Sequence, residues 1–241
     1  MLDQSTSIVT GGAGYDNWYV NMLGFATGIV EAFPITPELT QVGVLLFSDR
    51  IDTKFYLNTY DNKNDVVDAI RNLDLAGGDT NIAAALRTAH YTMFSQRFGA
   101  RAGVPKILIL VTDGKANIEP ERTLPEANLT KSDGIEIFSV GITSSISFEQ
   151  LRAIASASWE THFFYASNFE ALSSVLQNLL DHSCEASKTV APESSPPKPF
   201  CYTVERSVST STTAAPAATV CIVPTGQSST SDPPSTMTTG M

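Results

Sequence analysis

Basic residues are the first thing this chain is short of: 15 Lys and Arg stand against 25 Asp and Glu, for a net charge of -10 over 241 residues. They are scattered, and no segment gathers them into the basic face that a nucleic acid or an anionic membrane would need. Long apolar runs are missing too, and none approaches the length of a membrane span. Histidine occurs three times, as His90, His162 and His182. Each is placed where a structural or solvent-facing role is the plainer reading. No Gly-x-Ser-x-Gly elbow is present to activate a serine nucleophile. The glycine-rich Gly11-Gly12-Ala13-Gly14 lacks the Gly-Lys-Ser/Thr ending of a phosphate loop, so it reads as a turn. These absences leave little room for a hydrolase or a nucleotide-binding enzyme, and the chain is expected not to be an enzyme.

Cysteine is also sparse, and its count is odd: Cys184, Cys201 and Cys221. One of the three must lack a partner within the chain, although Cys201 and Cys221 are able to close a small loop with each other or to begin another disulfide-bearing module. Free thiols in a cytosolic protein are the plain alternative.

What the chain has in quantity is alternation. Apolar segments at strand length, Val42 to Phe47, Ile107 to Val111, Ile135 to Val140 and His162 to Tyr165, are separated by segments with helical spacing: Trp18 to Phe33, Asp65 to Leu73, Thr80 to Phe94, Phe148 to Ala157 and Phe169 to Leu180. Ile51 to Leu57 is a weaker edge strand, and Leu124 to Ser132 is a short helix or loop. Strands that are continuously apolar are buried on both faces. The order therefore predicts an α/β fold, a doubly wound, mostly parallel Rossmann-like sheet with helices on both faces. From about Glu185 to Met241 about half the residues are Ser, Thr or Pro. That stretch, 185–241, is expected to be a disordered tail behind a domain spanning 1–184.

Three oxygen-bearing clusters fall at expected strand exits and loops. Asp3, Ser5 and Ser7 alternate at every second position, which lets their oxygens converge where a strand runs off into a loop. Thr80 follows Gly77-Gly78-Asp79, and Asp113 follows the strand in Thr112-Asp113-Gly114. In an open α/β sheet such exits near the switch point are where ligands bind. Carboxylates and hydroxyls without Cys or His make a hard, oxygen-only shell, suited to Mg²⁺, with Mn²⁺ or Ca²⁺ as alternatives, and poorly suited to zinc or copper.

As a set these motifs resemble the von Willebrand factor type A (VWA) family, whose metal-ion-dependent adhesion site combines an Asp-x-Ser-x-Ser, a Thr in a Gly-Gly-x-Thr-type loop and a Thr-Asp-Gly after a strand. The resemblance runs from the first residue to about Cys184. It implies that Asp3, Ser5, Ser7, Thr80 and Asp113 hold the metal, directly or through water, with one position open for a Glu or Asp of a protein ligand. It also implies a last helix, Phe169 to Leu180, that shifts when a partner binds. Asp49 has a counterpart in the family that is not a ligand and is read as turn chemistry, whereas Asp79, where the family commonly has Gly, is a departure bearing on ligand preference.

Within the family the domain style looks closest to matrix proteins of the matrilin and collagen-associated type. The resemblance thus implies a secreted extracellular-matrix adhesion module, with collagen or another matrix protein as partner and a mineralised matrix as one setting. The alternatives are an intracellular VWA assembly subunit and a structural VWA domain with an idle metal site. Secreted relatives often join the end of the last helix to a Cys before the first strand, which would leave Cys184 paired outside this chain. Asn128-Leu129-Thr130 is a glycosylation sequon in a polar stretch, and the Ser/Thr/Pro tail suits O-glycosylation. Because Met1-Leu2 leave no room for the apolar strand that should carry Asp3, the chain is expected to be a fragment whose start is lost, so that a missing leader says nothing about secretion.

Overall fold

The computed structural model describes residues 1–10, 14–189, 200–204 and 218–222. The Gly11 to Ala13 part of the expected turn and most of the expected tail lie outside the described residues.

Six strands form one sheet. In chain order they are β1 (Leu2–Asp3), β2 (Val44–Phe47), β3 (Ile51–Phe55), β4 (Lys106–Thr112), β5 (Ile135–Ile142) and β6 (Phe163–Ala166). Their order across the sheet is β3-β2-β1-β4-β5-β6, and every pairing is parallel except the antiparallel edge pair β2-β3. The chain moves from β1 outward to β2 and β3, then crosses back to place β4 on the other side of β1. The switch point therefore lies between β1 and β4, where β1 ends in Asp3 and β4 is followed at once by Asp113. Although β1 is short, it is pinned on both sides, with Leu2 in register with Leu46 and Val111. The Met1 amino group donates to the Ile109 carbonyl at 2.7 Å.

The helices are α1 (Ser7–Thr10), α2 (Leu23–Glu31), α3 (Lys63–Arg71), α4 (Ile82–Thr88), α5 (Pro120–Ser132), α6 (Phe148–Ile154), α7 (Trp159–His162) and α8 (Leu172–Thr189). Period-two alternation divides the strand side chains between two cores. Leu45, Phe47, Leu108, Leu110, Ile135 and Ile137 pack with Ile82, Leu86 and Leu151 of α4 and α6. Leu2, Leu46, Val111, Phe138 and Val140 pack on the opposite face with α2, α3 and α8 through Phe25, Val67 and Leu179. Burial on both faces is what made the strands read as continuous apolar runs.

Several boundaries differ from expectation. The segment expected as one helix from Trp18 to Phe33 begins with π-helical turns over Asn17–Met22 before α2. Those wider turns leave Trp18 fully buried, its Nε1 donating to the Leu73 carbonyl at 2.9 Å. Likewise α4 passes into π-helical turns over Ala89–Met93. The Leu124 to Ser132 segment is part of a thirteen-residue helix beginning at Pro120, with Pro125 inside it. Proline at the first helical position forfeits no bond, so the helix starts well before the sequence pattern suggested. His162 ends α7 instead of opening β6.

The last helix begins later than expected and runs on to Thr189, past residue 184. Inside the expected tail, β7 (Phe200–Val204) and β8 (Ala218–Ile222) form an antiparallel ladder with Cys201 opposite Cys221. The rest of the tail expectation, and the side chain of Cys184, lie outside the described residues.

Candidate metal centre

Asp3, the last residue of β1, is fully buried and accepts two hydrogen bonds: from the Ser5 backbone N–H at 2.8 Å and from the Thr112 hydroxyl at 2.5 Å. The first closes an Asx-type turn that lifts the chain off the strand. Two residues on, the Ser5 and Ser7 hydroxyls lie 2.9 Å apart, and Ser7 Oγ donates to Asp113 Oδ1 at 2.7 Å. A continuous run of oxygens therefore joins the loop after β1 to the loop after β4. Ser5 is buried and Ser7 is exposed, so the cluster opens to solvent on the Ser7 side.

Thr80 reaches the cluster from the loop before α4. A methyl group placed on Gly114 would lie 3.6 Å from Thr80 Oγ1 and 3.9 Å from Ser7 Oγ, so the two hydroxyls flank the same glycine. Gly78 makes the approach possible. It sits at φ +109°, a backbone geometry that favours glycine, and a Cβ there would fall 2.1 Å from Asp49 Oδ1. The loop is tied down by Thr6, whose N–H donates to the Gly78 carbonyl while its hydroxyl accepts from the Gly78 N–H, both at 2.9 Å. Gln4 adds a bond from Gly77 N–H to its own carbonyl at 3.0 Å.

Asp3 and Asp113 carry the electrostatics. Burial raises the Asp3 carboxyl above its ordinary range, against the opposing hydrogen bonds from Thr112 and Ser5. Asp113 is pushed up to about 7, first by burial and then by the charge of Asp3, with the Ser7 hydroxyl opposing. Neither acid forms an ion pair among the described residues. Two buried carboxylates that repel each other without a basic partner are poised for a cation, which would relieve both terms at once. Among the described residues no three His, Cys, Asp or Glu side chains gather. A cation at this rim would therefore rely on neutral hydroxyls for the rest of its shell. That donor set, two carboxylates and three hydroxyls, fits a hard divalent ion.

All five residues singled out from the sequence thus lie at one rim. Asp49 accepts from the Ser48 hydroxyl at 3.2 Å, in keeping with turn chemistry. Asp79 is exposed and is held by the Asn117 amide at 3.2 Å. Neither Ser5 nor Ser7 hydrogen-bonds a histidine. His90 pairs with Asp133, His162 with Glu136, and His182 Nδ1 meets the Asn178 carbonyl. Three supporting residues escaped the sequence reading: Thr112, Gln4 and Asn117. Thr112 appears in the Thr-Asp-Gly motif without a role of its own, and all three act through bonds to residues more than 30 positions away.

A doubly wound, mostly parallel sheet with carboxylates and hydroxyls gathered at its switch point defines the class as an open α/β domain. The chain belongs to the von Willebrand factor type A family, whose profile, described as the von Willebrand factor type A domain, matches residues 1–178. Mouse matrilin-2 is 30% identical over 165 residues, 67% of this chain and 17% of matrilin-2. Chicken integrin alpha-1 is 30% identical over 189 residues, 74% of this chain and 63% of that protein. The chain thus spans less than two thirds of either relative. Among solved structures, proximal thread matrix protein 1 of the mussel byssus superposes with a TM-score of 0.71 at 27% identity, covering 84% of this chain and 48% of that one. A second structure of the mussel protein, with a TM-score of 0.70, is described as having a zinc-occupied MIDAS motif.

Proposed function

We propose that this chain is a secreted extracellular-matrix adhesion module that captures protein ligands through a divalent cation held by Asp3, Ser5, Ser7, Thr80 and Asp113. The observation that carries the reading is the oxygen relay from Ser5 through Ser7 to Asp113, with Thr80 facing it across Gly114. It brings hydroxyls and carboxylates from three separate loops to one solvent-open point beside two unpaired buried acids. When bound, the cation supplies a positive centre with a free position, and a Glu or Asp of the ligand is the group that suits it. The chain's own part is to hold the oxygens in place, to exclude a basic side chain that would satisfy the acids internally, and to leave the Ser7 side open. Matrilin-2 and integrin alpha-1 as relatives support a matrix or adhesion setting, with collagen or another matrix protein as the ligand class.

Mg²⁺ is the expected ion on donor chemistry, with Mn²⁺ and Ca²⁺ next. The zinc described for the mussel relative makes Zn²⁺ worth including in a titration. Asn128 is exposed on α5 and available for glycosylation. The register that sets Cys201 opposite Cys221 supports pairing those two, leaving Cys184 for a partner elsewhere.

The test is calorimetric titration with Mg²⁺, followed by capture of immobilised collagen and other matrix proteins with and without chelator. Asp3→Ala is expected to abolish cation binding and capture while far-ultraviolet circular dichroism stays unchanged. Full capture by Asp3→Ala, or capture indifferent to chelator, would sink this reading. Cation binding without capture of any carboxylate-bearing ligand would point instead to an idle site.

A further inference from the structure

We propose that Asn117 is a positioning residue, a clamp that fixes the Thr80 hydroxyl against the Asp113 loop before any cation arrives and so sets the preference for a small cation over a large one. The inference rests on the cation-binding reading above and extends it to a residue that is not itself a ligand.

Asn117 lies four residues beyond Asp113 and touches the Thr80 loop at three places, with Ile118 adding a fourth. Its side-chain Oδ1 accepts from the Thr80 N–H at 2.7 Å, the shortest bond that loop makes. Its Nδ2 donates to Asp79 Oδ1 at 3.2 Å. Its own backbone N–H and that of Ile118 donate to the Thr80 carbonyl at 3.0 and 3.2 Å. Both backbone polar groups of Thr80 are therefore satisfied by one short segment of the neighbouring loop, and the residue before Thr80 is tied by the same side chain. The far end of that segment is braced as well, since the Ala116 N–H donates to Gln150 Oε1 of α6 at 3.3 Å.

The consequence follows from what different cations ask of a site. Mg²⁺ demands near-ideal octahedral geometry at about 2.0 to 2.1 Å, whereas Ca²⁺ accepts longer and more variable distances. A threonine whose backbone is held in advance beside the Asp113 loop favours the ion with the stricter geometry. With the Asn117 side chain removed, Thr80 keeps the two backbone bonds to its carbonyl and the Thr6 to Gly78 bonds, but its own N–H and Asp79 lose their partner and the loop gains freedom relative to Asp113. Outer-shell partners of this kind typically change metal affinity by 10- to 100-fold.

The experiment compares Mg²⁺ and Ca²⁺ affinities of the full chain by calorimetry for the wild type, Asn117→Ala, Asp79→Ala and Asp113→Ala. Asn117→Ala is expected to weaken Mg²⁺ about 10-fold and Ca²⁺ less than about 3-fold, so that the ratio collapses. Asp79→Ala, which leaves the bond to the Thr80 N–H intact, is expected to shift both affinities together and keep the ratio. An unchanged ratio in Asn117→Ala overturns the clamp, as does an equal loss of both ions. Asp113→Ala separates the two levels: if it binds cation like the wild type, the cation site itself is misassigned. If it loses binding while Asn117→Ala keeps both affinities and their ratio, only the clamp falls. Hydrogen exchange at the Thr80 amide of the wild type supplies a readout that does not depend on any variant folding. Protection in chelator equal to that in Mg²⁺ is expected, and rapid exchange in chelator would show that Thr80 is not held in advance.

Discussion

At the scale of single residues, Asp113 is the most informative group in the molecule. Its carboxyl is raised to about 7 from an ordinary value of 3.8, so between those limits the folded chain holds a proton that the unfolded chain has lost. Without cation, this group's contribution to stability is fully present below about pH 4 and is lost as pH rises through about 7. A bound divalent ion reverses the sign, because it favours the ionised form and competes with the proton. Melting curves in chelator should therefore show the Asp113 contribution falling between pH 4 and 7. With saturating Mg²⁺ the added stability should instead grow over that range. Asp113→Asn, which can still accept from Ser7, is expected to melt higher than the wild type at pH 8 in chelator and to gain nothing from Mg²⁺. Thr112 acts on the other acid. Thr112→Val keeps the shape but removes the donor to Asp3 Oδ2. An unmet buried acceptor costs about 1 to 3 kcal/mol, to be read from chemical denaturation in chelator.

At the scale of elements, the loop between α3 and α4 decides whether Thr80 reaches the rim. Its entry into α4 is a regular N-cap, with the Asn81 side chain accepting from the Ala84 N–H at 2.9 Å. Its approach depends on Gly78, where positive φ and the Asp49 carboxylate leave no space for a side chain. Gly78→Ala should cost roughly 1 to 3 kcal/mol through backbone strain and the displaced Asp49. It should also weaken Mg²⁺ binding, because Thr80 moves with the loop. A variant that loses stability but binds Mg²⁺ normally would show that the loop and the site are independent. The Arg87 guanidinium ties α4 to α5, bonding Glu126 at 3.0 Å and Glu119 at 3.3 Å. The raised pKa of Arg87, caused chiefly by Glu126, fits that role.

At the scale of the whole molecule, the cation is expected to act as part of the fold. A ligand that binds only the native state adds about 2.7 kcal/mol at one hundred times its dissociation constant. Thermal melts across a Mg²⁺ series should rise logarithmically with concentration, and a flat series would mean that the rim binds no ion. The layers on which this depends were largely legible from the sequence. Apolar runs such as Leu108 to Val111 and Ile135 to Ile142 are central strands because alternate side chains enter cores on both faces. Less legible were the π-helical turns before α2 and after α4 and the helix starting at Pro120, since tertiary packing around Trp18 and His90 overrides a regular 3.6-residue period.

The sequence alone determined the oxygen inventory: which residues carry carboxylates and hydroxyls, that they fall at strand exits, and that no Cys or His joins them. Those are local properties, fixed by residue type and by spacing along one strand or turn. Only the tertiary structure decided that Ser7 meets Asp113 across 106 positions, that Thr112 caps Asp3, and that Asn117 holds Thr80. Contacts between loops depend on strand order, on the placement of β4 beside β1, and on hydrogen-bond geometry correct to a few tenths of an ångström. No periodicity in the chain encodes these. The buried charge of two acids that raises Asp113 arises in the same way, from the approach of two loops that are remote in sequence.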